Sequence, residues 1–442
     1  MSKLFGTDGV RGIANSELTP ELTFNLGRAG ATFLKGRSKR IVVGRDTRLS
    51  GDLLESSLMS GICSSGCVSV NLGILPTPAV AFLTRQLGAD GGVVISASHN
   101  PAEYNGIKFF DRNGIKLKEE EEEKVEELMD DNILDRPTGK EIGTIIDGSS
   151  SIERYVNHVV DTIYGDLKGI KVAIDCANGA AYKVAPEILS ELGAEVMTFS
   201  AEPNGVNIND GCGSTNVGYL ANIVKTHDVD VGFAFDGDAD RVIAIDERGA
   251  FVDGDFIMAI CVAHLKELDL LSPNAMVTTV MTNIGLDRCM ESKGIEIIKT
   301  PVGDRFVLQE MIEDKIQVGG EQSGHVIFLN HNTTGDGIIT ALQLLSVIRD
   351  KEQPLSELAK VMTRYPQSLK NVMVEKEKKA LVESKSVKNA IIESEKALGG
   401  DGRVLVRPSG TEPLIRVMVE AKSEELAQSL ANDIVSAIEK NI

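Results

Sequence analysis

The chain contains no tryptophan, and aromatic residues make up only 4% of its 442 positions. Stacking platforms for bases or glycans are therefore not expected. Its six cysteines (Cys63, Cys67, Cys176, Cys212, Cys261 and Cys289) form no Cys-x-x-Cys pair. Most lie in apolar or helix-like surroundings, which points to buried free thiols rather than disulfides or a thiolate metal site. Positive charge is in deficit: 46 Lys and Arg stand against 65 Asp and Glu, a formal net charge of −19. That balance argues against nucleic acid or an anionic membrane as the main partner. A small anion needs only a local group of Arg and Lys, and stays compatible. No apolar run approaches the ~20 residues of a membrane helix. The opening Met1-Ser2-Lys3-Leu4-Phe5-Gly6-Thr7-Asp8 lacks the apolar stretch of a signal peptide, so a cytoplasmic protein is expected.

What is present is ordinary for a globular chain: 42% hydrophobic and 25% charged residues. The length suits three or four domains of about 100–200 residues each. Strand-like runs at 41–43, 68–72 and 91–95 alternate with helical spacing at 20–36, 52–65 and 76–87. The same rhythm returns at 171–199 and 230–245, and again from 255 to 320. Such alternation predicts mainly parallel sheets with helices on both faces. The spacing therefore predicts an α/β fold of three similar parallel or mixed-sheet domains, 1–152, 153–254 and 255–368. A smaller α+β domain, 369–442, closes the chain. Three units of similar size suggest internal duplication, although no strong sequence repeat is visible. The acidic run within Lys118–Asp131 reads as the solvated face of a helix. Residues 132–150, rich in Gly, Ser, Asp and Pro, read as a connection.

Four loops carry chemistry. The apolar run Gly91-Gly92-Val93-Val94 ends in Ile95-Ser96-Ala97-Ser98-His99-Asn100-Pro101. Ser98 thus sits at the C-terminal end of a strand, where open α/β sheets place their sites. It can carry a phosphoryl group or act as a nucleophile if nearby groups stabilise charge, though the same residues also make a plain turn. No Gly-x-Ser-x-Gly elbow surrounds it, which counts against an esterase triad. Asp236-Gly237-Asp238-Ala239-Asp240-Arg241 follows another strand. Three carboxylates at alternate positions repel one another unless a hard cation such as Mg²⁺, Ca²⁺ or Mn²⁺ sits among them. An EF-hand is excluded because Arg241 takes the position that needs Gly, and strands flank the loop. Glu321, Ser323 and His325 alternate in a glycine-bounded loop suited to sugar hydroxyls. Arg407-Pro408-Ser409-Gly410-Thr411 combines a guanidinium, two hydroxyls and free backbone N–H groups, the makings of an anion cradle, to which Arg416 can add charge. Lys108, after Asn105-Gly106-Ile107, is either a solvated strand residue or an acid/base.

Those four motifs, in that order and together with Phe5-Gly6-Thr7-Asp8-Gly9-Val10-Arg11-Gly12, resemble the α-D-phosphohexomutase family over essentially the whole chain. The opening motif and Gln322 are similar to the branch that acts on glucosamine phosphates. The resemblance implies a phosphate on Ser98 and one Mg²⁺ held by Ser98, Asp236, Asp238 and Asp240. It implies Arg11, Lys108 and His325 near the reacting groups and Arg241 beside the phosphoserine. Glu321 and Ser323 would grip the sugar, and Arg407, Ser409, Gly410, Thr411 and Arg416 would hold the non-transferring phosphate. The implied reaction moves a phosphoryl group between O6 and O1 of glucosamine through a 1,6-bisphosphate, with a bisphosphorylated sugar as activator. Amino-sugar supply for cell-wall precursors would be its role. The implied partner is a sugar phosphate, with no nucleic acid or membrane, and a homodimer is compatible. Mannose or glucose phosphates are the rival substrates, since specificity can rest on a few hydrogen bonds. One departure stands out: Ala239 replaces a glycine common in the family. Because Ala disfavours positive φ, the loop is expected to take an ordinary conformation there.

Overall fold

The computed structural model describes residues 4–6, 8–129, 136–374, 381–408 and 413–442. They fall into two compact units. The first comprises Met1–Met281 and Gly294–Val361, and the second Thr282–Lys293 and Met362–Ile442.

The first unit holds three sheets. In the first sheet, strands β1 (Val10–Ile13), β2 (Arg40–Arg45), β3 (Val68–Ile74), β4 (Gly91–Ile95), β5 (Tyr104–Asp111) and β6 (Ile145–Asp147) take the order β1-β5-β4-β2-β3-β6. The second comprises β7 (Lys171–Asp175), β8 (Glu195–Phe199), β9 (Val231–Phe235), β10 (Val242–Asp246) and β11 (Phe251–Val252), ordered β11-β10-β9-β7-β8. The third comprises β12 (Ala275–Thr279), β13 (Glu296–Thr300), β14 (Val318–Gly320) and β15 (Val326–Phe328), ordered β13-β12-β14-β15.

Each sheet contains the same four-strand core. A first strand pairs in parallel with the second and third, and the third pairs antiparallel with the fourth. The suspected duplication is thus visible in topology where sequence no longer carries it. The link between third and fourth strands holds Ser98 in the first sheet, Asp236–Arg241 in the second and Glu321–His325 in the third. Three of the four predicted motifs occupy one topological position. The strands that precede them, β4, β9 and β14, are buried throughout, as expected where both sheet faces are covered.

Some local expectations need correction. Ile145–Asp147, read as part of a connection, adds a parallel edge strand next to β3. The acidic helix, Glu119–Met129, is not wholly solvated. Glu122 is buried and pairs with Arg305 at 3.1 Å, and Glu126 accepts the N–H groups of Leu4 and Phe5 at 2.8 and 2.7 Å. Asp130 and Asp131 lie outside the described residues. The cysteines follow expectation: all six are free, and all but half-buried Cys63 are buried.

In the second unit, β16 (Gln367–Met373), β17 (Arg403–Pro408) and β18 (Leu414–Glu420) form an antiparallel sheet of order β16-β18-β17. Helices Lys385–Leu398 and Glu424–Glu439 supply Val387, Leu398, Leu430 and Ile434 to its core. Helix Ile284–Ser292 clusters with this unit, and Glu420 ties the two together by accepting from Asn283 Nδ2 at 3.1 Å and Ile284 N at 3.0 Å. No helix among the described residues is long and apolar enough to cross a membrane.

Candidate active site

Two of the equivalent links meet in the first unit. Ser98 is 1% exposed, and its hydroxyl donates to Asp236 Oδ2 at 2.6 Å. Asp236, Asp238 and Asp240 each present a carboxylate oxygen within 4.8 Å of the others, and all three are buried. Asp236 Oδ1 accepts the Arg241 N–H at 3.2 Å. Asp238 Oδ2 accepts from Thr77 Oγ1 at 2.7 Å and from Lys108 Nζ at 3.1 Å. The other oxygens, Asp238 Oδ1 and Asp240 Oδ1, are buried and accept no hydrogen bond among the described residues. Buried carboxylate oxygens left this way are costly. Several hard oxygens aimed at one volume fit a divalent cation with oxygen preference.

The charges explain the titration of the group. Burial, then the Asp240 and Asp238 carboxylates, push the Asp236 carboxyl well above the usual range. Burial alone would also raise Asp240, but His325, Lys108 and Arg241 outweigh it and lower its pKa. Lys108 is 2% exposed and lies 3.1 Å from Asp238, 3.2 Å from Asp8 and 3.9 Å from Asp240. Burial opposes its charge, yet those carboxylates prevail and hold it as an ammonium above the ordinary lysine range. Arg241 is likewise kept charged by Asp240 and Asp236 against its burial, with its Nε 3.7 Å from Asp240.

His325 is buried, with Nδ1 3.5 Å from Asp240 Oδ2 and Nε2 accepting the Gly335 N–H at 3.0 Å. Both ring nitrogens are therefore engaged. The carboxylates of Asp240, Asp304 and Glu321 outweigh burial and raise its pKa. The Gly335 N–H works the other way, because a doubly protonated ring has no lone pair to accept it. His99 behaves differently. Burial, with Arg241 and Arg11 nearby, brings it down to about 4, so it is neutral at pH 7, with Nδ1 3.3 Å from Ser98 Oγ.

Ala239 is a correction. It adopts φ 57°, the left-handed conformation that Ala was expected to avoid. Its N–H bonds to Asp236 O at 3.1 Å and its carbonyl accepts Gly337 N at 3.0 Å. Those contacts offset a cost of roughly 1–2 kcal/mol for a non-glycine residue.

The third link lies in the same unit. Glu321 Oε1 accepts Gly303 N at 3.2 Å, while Ser323 is exposed. A cavity of about 580 Å³ is lined by Lys116, Asp304, Arg305, His325 and Thr333 among others. Its size lies within the range of small-molecule sites. Arg11 pairs with Asp8, which also pairs with Lys116 and Lys108; Lys116 reaches Asp304 at 3.2 Å. Signs thus alternate along Asp304, Lys116, Asp8, Lys108 and Asp238. Asp8 stands in the opening motif without having been singled out. Lys116, Asp304 and Thr77 carry no local pattern at all, since only the fold brings them together.

In the second unit, Arg407 and Arg416 are direct cross-strand partners on β17 and β18. Burial and then Arg416 lower the Arg407 guanidinium from its ordinary value. Like charges placed opposite each other destabilise a sheet unless an anion sits beside them. Ser409, Gly410 and Thr411 lie outside the described residues.

Comparison with known proteins agrees with this geometry. Family models of phosphoglucomutase/phosphomannomutase match alpha/beta/alpha domain I at residues 2–135, domain II at 153–249, domain III at 253–365 and the C-terminal domain at 369–437. This chain belongs to the phosphoglucomutase/phosphomannomutase family. Among curated members, the phosphoglucosamine mutase of Ruminiclostridium cellulolyticum is 55% identical over 445 residues, covering 99% of both chains. That of Desulforamulus reducens is 54% identical over 442 residues, again covering 99% of both. Among solved structures, a phosphoglucomutase/phosphomannomutase family protein from Burkholderia thailandensis shares the fold. It has a TM-score of 0.84 at 23% identity, covering 100% of this chain and 98% of that one. The N-acetylphosphoglucosamine mutase of Aspergillus fumigatus, in complex with GlcNAc-6P and magnesium, has a TM-score of 0.72 at 18% identity, covering 99% and 95%.

Proposed function

We propose that this chain is a phosphoglucosamine mutase, an isomerase that interconverts glucosamine 6-phosphate and glucosamine 1-phosphate. The observation that carries this reading is the set of curated relatives of that name, at 51–55% identity over essentially the full chain. The site supports it: a buried hydroxyl faces three carboxylates, with fixed cations around them.

In this reading Ser98 carries the phosphoryl group, and Asp236, Asp238, Asp240 and a phosphoserine oxygen hold Mg²⁺. The A. fumigatus mutase, with its magnesium, favours that choice of cation. When bound, the cation neutralises negative charge that accumulates on the transferring phosphoryl group. The remaining work belongs to side chains. Ser98 donates its phosphoryl group to O1 of glucosamine 6-phosphate: the P–Oγ bond breaks as P–O1 forms, the proton lost from O1 restores the Oγ–H, and Asp236 accepts from that hydroxyl. The glucosamine 1,6-bisphosphate then turns over, and Ser98 takes the phosphoryl group from O6. Lys108, fixed as an ammonium, stabilises charge and can give a proton to a departing oxygen. Arg11 and Arg241 add positive charge beside it. His325, with both nitrogens bonded, fixes Asp240. Glu321 and Ser323 hold sugar hydroxyls, and Arg407, Ser409, Gly410, Thr411 and Arg416 hold the other phosphate. The same reading takes 1–152, 153–254, 255–368 and 369–442 as domains, a hexose bisphosphate as activator, the cytoplasm as compartment and a homodimer as assembly.

The test is product formation from glucosamine 6-phosphate with Mg²⁺ and a trace of hexose 1,6-bisphosphate, beside mannose and glucose 6-phosphates. A wide preference for glucosamine phosphate, lost in Ser98→Ala, is expected. Preference for another hexose would move the chain to a different specificity within the same family.

A further inference from the structure

Ser98 is held in an unusual way. It lies at φ 50°, a left-handed conformation that a serine enters only under constraint. The constraint comes from its carbonyl and that of Asn100, not from its side chain. Arg48 is fully buried, and each of its five guanidinium N–H groups has a partner. Nε donates to Asp46 Oδ2 at 2.9 Å, one terminal nitrogen to Ser98 O at 3.0 Å and Asn100 O at 2.8 Å, and the other to Tyr104 O at 3.0 Å and to Pro101 O. Asn209 Nδ2, from the second sheet's domain, donates to the same two carbonyls, Ser98 O at 2.9 Å and Asn100 O at 3.0 Å. Asp46 closes the arrangement by accepting from Ser96 Oγ at 2.6 Å, and Ser96 Oγ in turn accepts the Ser98 N–H at 2.9 Å. Gly237 seals the other side, since a Cβ there would stand 2.5 Å from Ser98 O and 3.0 Å from Asn209 Nδ2.

A buried guanidinium spent on four carbonyls of a single seven-residue stretch is an expensive way to shape a turn. A nucleophile that must meet two different oxygens in succession gains from a fixed backbone, because misplacement by about 1 Å can cost about 10²-fold in rate. We infer that Arg48 and Asn209 are positioning residues, a two-sided clamp that fixes the Ser98 main chain for both phosphoryl transfers. The inference rests on the reading of Ser98 as phosphoryl carrier. Neither residue touches the reacting atoms. Their effect falls on turnover, not on the grip on sugar phosphate.

The test uses the full chain charged with a hexose 1,6-bisphosphate. Asn209→Gly retains the backbone freedom needed at φ 59° but removes both donors. Arg48→Lys keeps the charge and loses the planar fork. The expected result is a kcat about tenfold lower for Asn209→Gly and about 10²-fold lower for Arg48→Lys, with KM for glucosamine 6-phosphate within twofold of the parent. Free bisphosphate released per turnover should rise in both. Should Arg48→Lys fail to fold, Asn209→Gly alone decides. An unchanged kcat in Asn209→Gly, or a raised KM at constant kcat, overturns the clamp while Ser98→Ala remains inactive. An active Ser98→Ala would instead overturn the reading of Ser98 itself.

Discussion

Replacing Asp236 by Asn should invert the usual order of stability, and the inversion depends on the cation. The carboxylate oxygens of Asp236, Asp238 and Asp240 lie within 4.8 Å of one another. At an effective dielectric constant near 20, two unit charges at that distance repel by about 3.5 kcal/mol. A charged Asp236 thus meets at least about 7 kcal/mol from its two neighbours. Attraction to Arg241 offsets part of this, and protonation of Asp236 caps the rest. Asn keeps an acceptor for the Ser98 hydroxyl or the Arg241 N–H and carries no charge. In EDTA, Asp236→Asn should therefore be as stable as the parent, or more stable by about 1–2 kcal/mol. With Mg²⁺ at a hundredfold excess over its Kd, the parent gains about 2.7 kcal/mol. The variant, lacking a ligand, gains little, so the order reverses. With no tryptophan in the chain, circular dichroism at 222 nm is the natural way to follow the transition, in EDTA and in Mg²⁺. If the variant is less stable than the parent in EDTA, or if Mg²⁺ stabilises both equally, the three aspartates are a network balanced by Lys108 and Arg241 and not a cation site.

Gly237→Ala should force a shift at Ser98, because the new Cβ would stand 2.5 Å from its carbonyl oxygen. Overpacking of this kind costs about 1–3 kcal/mol; a melting curve and kcat measured together would show whether the turnover loss exceeds the stability loss. Arg407→Gln should raise KM for the sugar phosphate by roughly 10- to 100-fold, the worth of one charge-assisted hydrogen bond of about 1.5–3 kcal/mol, and steady-state kinetics would check it. Burial pushes the Cys212 thiol up to about 11 and Cys261 up to about 12. Both thiols therefore stay protonated at pH 8, and Ellman's reagent should modify them slowly in the native protein and fully in urea. Glu122→Ala removes one buried partner of Arg305, at 3.1 Å, and thermal melting should show a loss of about 1 kcal/mol.

Much of the site is legible in the sequence because its chemistry is local. Asp236, Asp238 and Asp240 alternate within one loop, and no bland environment tolerates that pattern without a counter-charge. Ser98 is marked by the buried strand before it and the polar residues after it. What could not be read comes from distance along the chain. Asp8 and Lys116 pair although 108 residues separate them, and Arg48 reaches its carbonyls across about 50. Arg45 and Arg48 look like exposed basic loop residues until the fold buries Arg48. Ala239 went the other way: intrinsic preference spoke against positive φ, and tertiary hydrogen bonds overrode it. The acidic helix shows the same limit, because helical spacing puts Glu122 on the face of Val125 but cannot say what that face meets.

The shared position of the three motif-bearing links has a consequence for how activity is gained during folding. Ser98 and Asp236 are 138 residues apart, and Lys108 and Asp238 are 130 apart. Closing separations of that length costs entropy that only the finished sheets repay. No single sheet holds enough of the site to carry out a transfer. A chain that has completed only one of its repeats has a hydroxyl without its carboxylates, or carboxylates without their hydroxyl. Catalytic competence is therefore the last property to appear and the first to vanish, and recovery of turnover after denaturation reports complete folding of the first unit more stringently than recovery of helix content.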